Sequence, residues 1–265
     1  MFNNTENKKT ESTKEDQKPE NNNSSPVLTK CLEENISIFQ NIFFGDELLV
    51  TRRFQNKHLS AAKCCIIYFS EMVDAEKINQ NIIRPILSSD FAEDISSANL
   101  LEELQSKILI SENAVLTDDM NRAISSISYG DTVFLLDGYD KLLIINTKGW
   151  QTRAIAEPQS TRVIRGPREG FTESIIINLS LVRRKIQNTD LKFKFKQIGE
   201  RTNTRTCICY IEGLALDSIL SELEQRLDKI EIDGIIDSGY IQELIKDAPY
   251  SPFETVGSSE RPDVI

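Results

Sequence analysis

Apolar positions in the first half of the chain recur at spacings that predict alternating helices and strands. Leu32, Ile36, Phe39 and Phe43 are three or four residues apart, which predicts a helix that ends at Gly45. The elements predicted next are strands over 47–54 and 61–69 and helices near 74–87, 98–109 and 117–127. The second of these strands is apolar on both sides, as expected for an interior strand covered on both faces.

A β-hairpin signal follows in the middle of the chain. The runs 131–138 and 141–146 are apolar and β-branched, and Gly138, Tyr139 and Asp140 separate them. A third strand is predicted over 151–156.

The second half predicts a further alternation of helices and strands. The predicted elements are a helix over 172–187, strands over 191–196 and 204–211, a helix that begins at Asp217 or Ser218, a strand over 231–236 and a helix over 239–246. Lys192, Lys194 and Lys196 alternate with Phe193 and Phe195, so we expect the lysines on a solvated face and the phenylalanines in the core.

This order of elements predicts an α/β fold with mixed sheets, built as two α/β subdomains. The subdomains are predicted at 29–157 and 158–250, joined by a segment rich in Gly, Pro and Arg. Residues 1–28 are mostly Asn, Lys, Glu, Ser and Thr and are predicted to form a disordered tail. Residues 251–265 are predicted to be a linker.

Charge is distributed unevenly along the 265 residues. The net charge is −10, which disfavours general nucleic-acid binding because the chain repels phosphates. The window 150–205 nevertheless holds twelve basic and five acidic side chains. This basic zone predicts contact with an anion or with an acidic face of a neighbouring copy.

The sharpest candidate site lies in and after the Arg-rich segment 157–174. The candidate residues for an interaction or an anion are Arg162, Arg165, Gly166, Pro167, Arg168, Glu169, Asn178, Arg183 and Arg184. Two alternatives stay open: the arginines contact an external partner, or they brace this segment internally against Glu169 and Glu173. The basic end of the 172–187 helix would also complement the helix dipole.

The residue types and spacings of the chain disfavour a metal site and a phosphate-binding loop. The five cysteines show only CC and CxC spacings, and the single histidine, His58, has no partner at ligand spacing. The glycine patterns of phosphate-binding loops are absent. We therefore expect reduced cysteines, no metal and no cofactor. An enzyme with a pair of carboxylates stays open at this point, although no spacing singles out a pair. No apolar run approaches the roughly 20 residues that span a bilayer. The N-terminus lacks an apolar secretory core, so we expect the cytoplasmic side.

Several motifs together resemble one known family, the A subunits of spore germinant receptors of the GerA type. They are the run RVIRGPREGF at 162–171, Asn178 with LVRR at 181–184, PYSPF at 249–253 and ERPD at 260–263. The resemblance runs from about residue 30 to the end. Relatives of the stage V sporulation AF type share the Arg-rich run.

The resemblance implies a non-enzymatic role in nutrient-triggered spore germination. Such A subunits act with B and C subunits in the inner membrane of the dormant spore, where nutrient sensing leads to ion release. They carry a multi-helix membrane domain after the N-terminal part, so this chain is expected to be that part, soluble and on the cytoplasmic face. We expect it to assemble the receptor, self-associate and couple the signal to the membrane domain. The alternative is a germinant-binding module in which Arg162, Arg165 and Asn178 hold a small molecule in a cleft between the subdomains.

Overall fold

The computed structural model describes residues 26–56, 63–88, 100–105, 114–149, 169–248, 253 and 255–264. The helices are α1 (Leu32–Ile42), α2 (Ala75–Ile78), α3 (Arg84–Ser88), α4 (Leu100–Glu103), α5 (Met120–Ser128), α6 (Ile175–Lys185), α7 (Asp217–Asp228) and α8 (Ser238–Leu244). The strands are β1 (Leu49–Gln55), β2 (Lys63–Phe69), β3 (Ala114–Thr117), β4 (Thr132–Leu136), β5 (Leu142–Ile145), β6 (Leu191–Ile198) and β7 (Thr204–Ile211). The predicted α/β class is confirmed.

A five-stranded sheet with the order β1-β2-β4-β5-β3 forms the centre of the first half. Each pair of neighbouring strands in it is antiparallel, as is the β6–β7 pair, so the prediction of mixed sheets is wrong for the described strands. In β2, Cys65 and Ile67 join a core with α1 and α5 on one face, while Cys64 and Ile66 join a core with α2 to α4 on the other. The prediction that this strand is covered on both faces is confirmed, and so is the hairpin of β4 and β5.

Two predictions in the first half need correction. The predicted helix over 74–87 is three segments, because a π-helical turn at Asn79–Ile83 separates α2 from α3. Pro85 follows the π-helical turn directly within one continuous run of helical residues, where its missing N–H interrupts the regular hydrogen-bond ladder of the helix. β3 was not predicted, since its four residues follow a predicted helix too closely for a strand pattern to develop.

The second half contains the predicted helix α6 and the antiparallel pair β6–β7. The predicted strand over 231–236 is wrong, because no ladder forms there. Its carbonyl groups instead accept hydrogen bonds from the β6–β7 turn: Glu200 N–H donates to Ile232 O at 3.0 Å, and Arg201 N–H donates to Asp233 O at 2.8 Å.

One hydrophobic core includes residues of both halves. Leu179 and Val182 of α6 and Phe193 of β6 belong to the same cluster as Phe39 and Ile67 of the first half. The predicted strand over 151–156, the predicted boundary at 157–158, most of the predicted tail and His58 lie outside the described residues. The division into subdomains therefore stays a prediction.

The cysteines are free thiols. Cys64 and Cys65 are buried, and burial raises the pKa of each thiol to about 12, so both are inert core residues. Cys209 is exposed.

Candidate functional site

The nine candidate residues fall into two groups. Arg162, Arg165, Gly166, Pro167 and Arg168 lie outside the described residues, and their contacts remain predictions. Glu169, Asn178, Arg183 and Arg184 are described, and all four surround α6.

Asn178 holds the backbone that leads into α6. Its Oδ1 accepts hydrogen bonds from the Thr172 backbone N–H at 2.7 Å and from the Thr172 hydroxyl at 3.2 Å. Its Nδ2 donates to the Thr172 carbonyl oxygen at 2.7 Å. Both ends of the side-chain amide are thus engaged within the chain, which fixes the angle at which the preceding segment meets the helix.

The basic end of α6 forms ion pairs with Glu169, which lies in the Arg-rich segment. Arg184 Nη2 donates to Glu169 Oε1 at 2.8 Å, and Lys185 Nζ lies 3.4 Å from Glu169 Oε2. These side chains are partly exposed, so solvent screens the pairs. At this end of the segment the contacts support the bracing alternative.

Arg183 points into the core rather than toward a partner at the surface. Its side chain is 0% exposed; Nε donates to Glu71 Oε1 at 2.7 Å and Nη2 donates to Asp46. The guanidinium lies between two aromatic rings, 3.7 Å from the centroid of Phe69 and 4.7 Å from that of Phe193. Arg183 therefore joins α6 and β6 to two loops of the first half.

Sequence reasoning did not find the two carboxylates of this cluster. Asp46 directly follows Gly45 after α1, as an ordinary turn residue would, and Glu71 follows β2 with no motif around it. Their separations from Arg183, 137 and 112 residues, leave no local pattern. The only signal is that each carboxylate stands beside an apolar run that must be buried.

Burial dominates the electrostatics of the cluster. Desolvation raises the pKa of Glu71 to about 7 against the opposing effect of Arg183, and it also raises the pKa of Asp46. Glu71 Oε2 and Arg183 Nη1 are buried without a hydrogen-bond partner. Such atoms are rare in folded proteins and commonly mark a strained or functional position.

The lysines of β6 do not form the solvated face that was expected. Lys192 is only 2% exposed, and burial lowers its pKa although Glu212 lies 3.7 Å away. Lys194 and Lys196 reach acids of α7, at 3.0 Å from Glu224 and 2.6 Å from Asp228. α7 therefore covers this face, which a strand pattern alone does not reveal.

The C-terminal segment joins the same region. The Phe171 N–H donates to the Glu260 carbonyl oxygen at 2.7 Å. Arg261 pairs with Asp263, and Arg261 together with the nearby Lys185 lowers the pKa of the Asp263 carboxyl. The ERPD motif, the residues before α6 and the end of α6 thus form one junction.

The comparisons with known proteins decide the family. The sequence model described as Bacillus/Clostridium GerA spore germination protein matches residues 37–265. The chain belongs to this GerA family. Spore germination protein KA of Bacillus subtilis is 33% identical over 91% of this chain and 44% of its own length. Spore germination protein A1 of Bacillus subtilis is 35% identical over 75% of this chain and 40% of its own length.

A solved structure similar to this GerA-family chain is the N-terminal domain of a germinant receptor A subunit. The N-terminal domain of the A subunit of the Bacillus megaterium spore germinant receptor GerK3 superposes with a TM-score of 0.69 and 29% identity. The match covers 91% of this chain and 88% of that domain. The resemblance to germinant receptor A subunits is therefore confirmed, and the chain spans less than half the length of the curated relatives it matches.

The described residues of this GerA-family chain show neither a membrane-spanning helix nor a group of metal-binding side chains. Within 26–264, apart from the undescribed gaps, no helix combines the length and the apolar character that a bilayer crossing requires. The same residues contain no group of three or more His, Cys, Asp or Glu side chains placed to hold a metal ion.

Proposed function

We propose that this chain is the N-terminal domain of a spore germinant receptor A subunit and that it assembles the receptor and couples the nutrient signal to a membrane domain. One observation carries the proposal: the junction between the C-terminal segment and α6. A displacement of Glu260–Asp263 would pull on Phe171 and on the end of α6, which is anchored in the core through Arg183. The domain acts by contact and carries out no catalysis.

A surface suited to assembly lies on α7, α8 and the segments beside them. Eight of the twelve large apolar side chains that are exposed in the described residues lie there: Leu214, Leu216, Ile219, Ile236, Tyr240, Leu244, Phe253 and Val264. α7 buries only Leu227, and a groove of about 480 Å³ runs between this helix and the side chains of Ile245, Asp247, Thr255 and Val256. The stretch 212–263 holds thirteen acidic and four basic residues. An exposed apolar surface rimmed by acids fits a basic protein partner.

We infer the partners from this complementarity between an acidic surface and a basic segment. The Arg-rich segment of one A subunit meets the acidic α7–α8 surface of a neighbouring copy, and B and C subunits complete the receptor in the inner spore membrane. The membrane domain that follows the N-terminal part in such subunits supplies the attachment to the membrane, with this domain on its cytoplasmic face.

Charge reversal of the Arg-rich segment tests the proposal. In the full-length subunit, Arg162→Glu, Arg165→Glu and Arg168→Glu together are expected to abolish nutrient-triggered germination, while the same changes leave the 265-residue chain folded by circular dichroism. The matched control reverses three exposed cations outside the Arg-rich segment and outside the α7–α8 surface, Lys30, Arg122 and Lys141, and should germinate normally. Normal germination of the first variant would overturn the assembly role. An unfolded domain would instead favour internal bracing.

A second candidate function is germinant binding between the two predicted subdomains. The observation that favours it is the set of buried charges where the halves meet, with Glu71 Oε2 and Arg183 Nη1 unpartnered. A ligand that binds only the folded chain raises the thermal unfolding midpoint by mass action. Amino acids and sugars at millimolar concentration should each be measured. A rise with one of them supports direct sensing, and unchanged midpoints throughout disfavour it.

A further inference from the structure

Two carboxylates share one edge of the Arg183 guanidinium. Glu71 Oε1 accepts from Nε at 2.7 Å and Asp46 Oδ2 accepts from Nη2, and these two nitrogens lie on the same edge of the planar group. The three side chains are at most 1% exposed. The carboxylates are therefore held side by side in a region without solvent screening.

The charges around the two carboxylates compensate Asp46 better than Glu71, because both Arg183 and Lys192 act on Asp46 but, of the described cations, only Arg183 acts on Glu71. The titratable side chains that act on the cluster from the described elements around it are Lys192 of β6 and the Cys207 and Cys209 thiols of β7. Lys192 lies 3.7 Å from Glu212, and the negative charge of this carboxylate offsets part of the positive charge of the lysine. Desolvation raises the pKa of the Cys207 thiol to about 12 and that of the Cys209 thiol to about 11, although Cys209 as a residue is exposed, so both thiols stay neutral. With both carboxylates ionised, the only nearby cation of Glu71 in the described part of the chain is the Arg183 guanidinium, which Glu71 shares with Asp46.

The unpartnered oxygen belongs to Glu71, so Glu71 is the carboxylate whose negative charge is less well compensated. Asp46 accepts a second hydrogen bond, from the Leu48 N–H at 3.1 Å, whereas Glu71 Oε2 accepts none. An ionised carboxylate with a bare, buried oxygen is costly, and proteins relieve this cost by binding a proton. A proton on Glu71 would leave Arg183 paired with Asp46 and the charges of this pair balanced.

We propose that the Asp46–Arg183–Glu71 cluster is a proton-dependent contact between the two halves of the chain, in which one proton on Glu71 strengthens the seating of α6 and β6 on the first half. Loss of this proton as the pH rises weakens the contact. The proposal concerns the folded domain itself, so its outcome does not depend on the receptor role proposed above.

The direction of the pH dependence follows from linkage. Burial raises the pKa of Glu71 from its ordinary value of 4.5 to about 7, with a smaller contribution from repulsion by Asp46. The folded chain therefore holds the proton more tightly than the unfolded chain. The resulting stabilisation is fully present below pH 4.5 and is lost as the pH rises to about 7. An exposed, salt-bridged carboxylate has the opposite dependence.

Thermal unfolding of the 265-residue chain between pH 5 and pH 8 tests this proposal with Glu71→Gln, which mimics the protonated side chain. The midpoint of this variant relative to the wild type is expected to rise with pH, by on the order of 5 °C across the range. Glu231→Gln, at an exposed carboxylate, should follow the wild-type profile. Parallel profiles for Glu71→Gln and the wild type would overturn the proposal.

A second measurement on the wild-type chain does not depend on how any variant folds. The ¹³C shift of the Glu71 carboxyl carbon should titrate with a midpoint near 7. A midpoint near 4.5, the ordinary value for glutamate, would also overturn the proposal.

Discussion

Arg183→Met is expected to lower the free energy of unfolding by about 3–5 kcal/mol, because it leaves two carboxylates buried without their cation. The side chain is fully enclosed, with Glu71 and Asp46 on one edge and the rings of Phe69 and Phe193 around it. Methionine fills much of the same volume, so the loss is mainly electrostatic. Urea unfolding followed by circular dichroism gives the difference directly.

The adjacent residue provides the matched control for this change. Arg184 pairs with the partly exposed Glu169, so Arg184→Met should cost no more than about 1 kcal/mol. A triple variant that combines Arg183→Met with Asp46→Asn and Glu71→Gln removes every charge of the cluster and should recover much of the stability. If Arg183→Met were as stable as Arg184→Met, the cluster would not hold the halves together.

Phe193→Ala is the second large effect we expect, a loss of about 3–5 kcal/mol in the free energy of unfolding. Phe193 is 0% exposed and belongs to the core that α6 and β6 share with the first half. Removing the ring leaves a cavity there and takes one aromatic face from Arg183. The same urea experiment measures the loss, and native-state hydrogen exchange should show faster opening of β6.

Phe195, two residues along the same strand, is the control for Phe193. It points to the same side but is only half-buried, with the guanidinium of Arg205 3.9 Å from its ring centroid. Phe195→Ala should cost no more than about 2 kcal/mol. Equal losses for the two variants would contradict the view that the shared core is centred on Phe193.

Adjacent arginines of α6 have opposite environments. Successive residues of an α-helix point about 100° apart, so Arg183 enters the core while Arg184 reaches Glu169 beside the Arg-rich segment. One turn of helix thus connects the buried cluster to the junction with the C-terminal segment. This connection is the physical basis for the proposed coupling, because a movement at either end is transmitted along a rigid helix.

Strong local patterns predicted the elements well. The helical spacing from Leu32 to Phe43, the hairpin around Gly138 and the β6–β7 pair appear as expected. Each of these is specified by residues within about a dozen positions of one another. The motifs at 162–171 and 260–263 pointed to the GerA family because they are specific in sequence, whatever their structure.

Predictions failed where partners come from distant parts of the chain. Residues 231–236 have the composition of a strand, but their carbonyls bond to the β6–β7 turn, so no ladder forms. Lys192 belongs to an alternating pattern that normally faces solvent, yet it is buried beside Glu212. Neither the turn nor the covering helix α7 is visible in the local pattern.

Sequence alone determined the family, the α/β class and the position of most helices and strands, since these depend on local hydrophobic periodicity and specific motifs. Tertiary structure decided which charges are buried and which carboxylates they meet. The ionisation of Glu71 depends on a cation 112 residues away and on the water that both groups lose when the halves pack together.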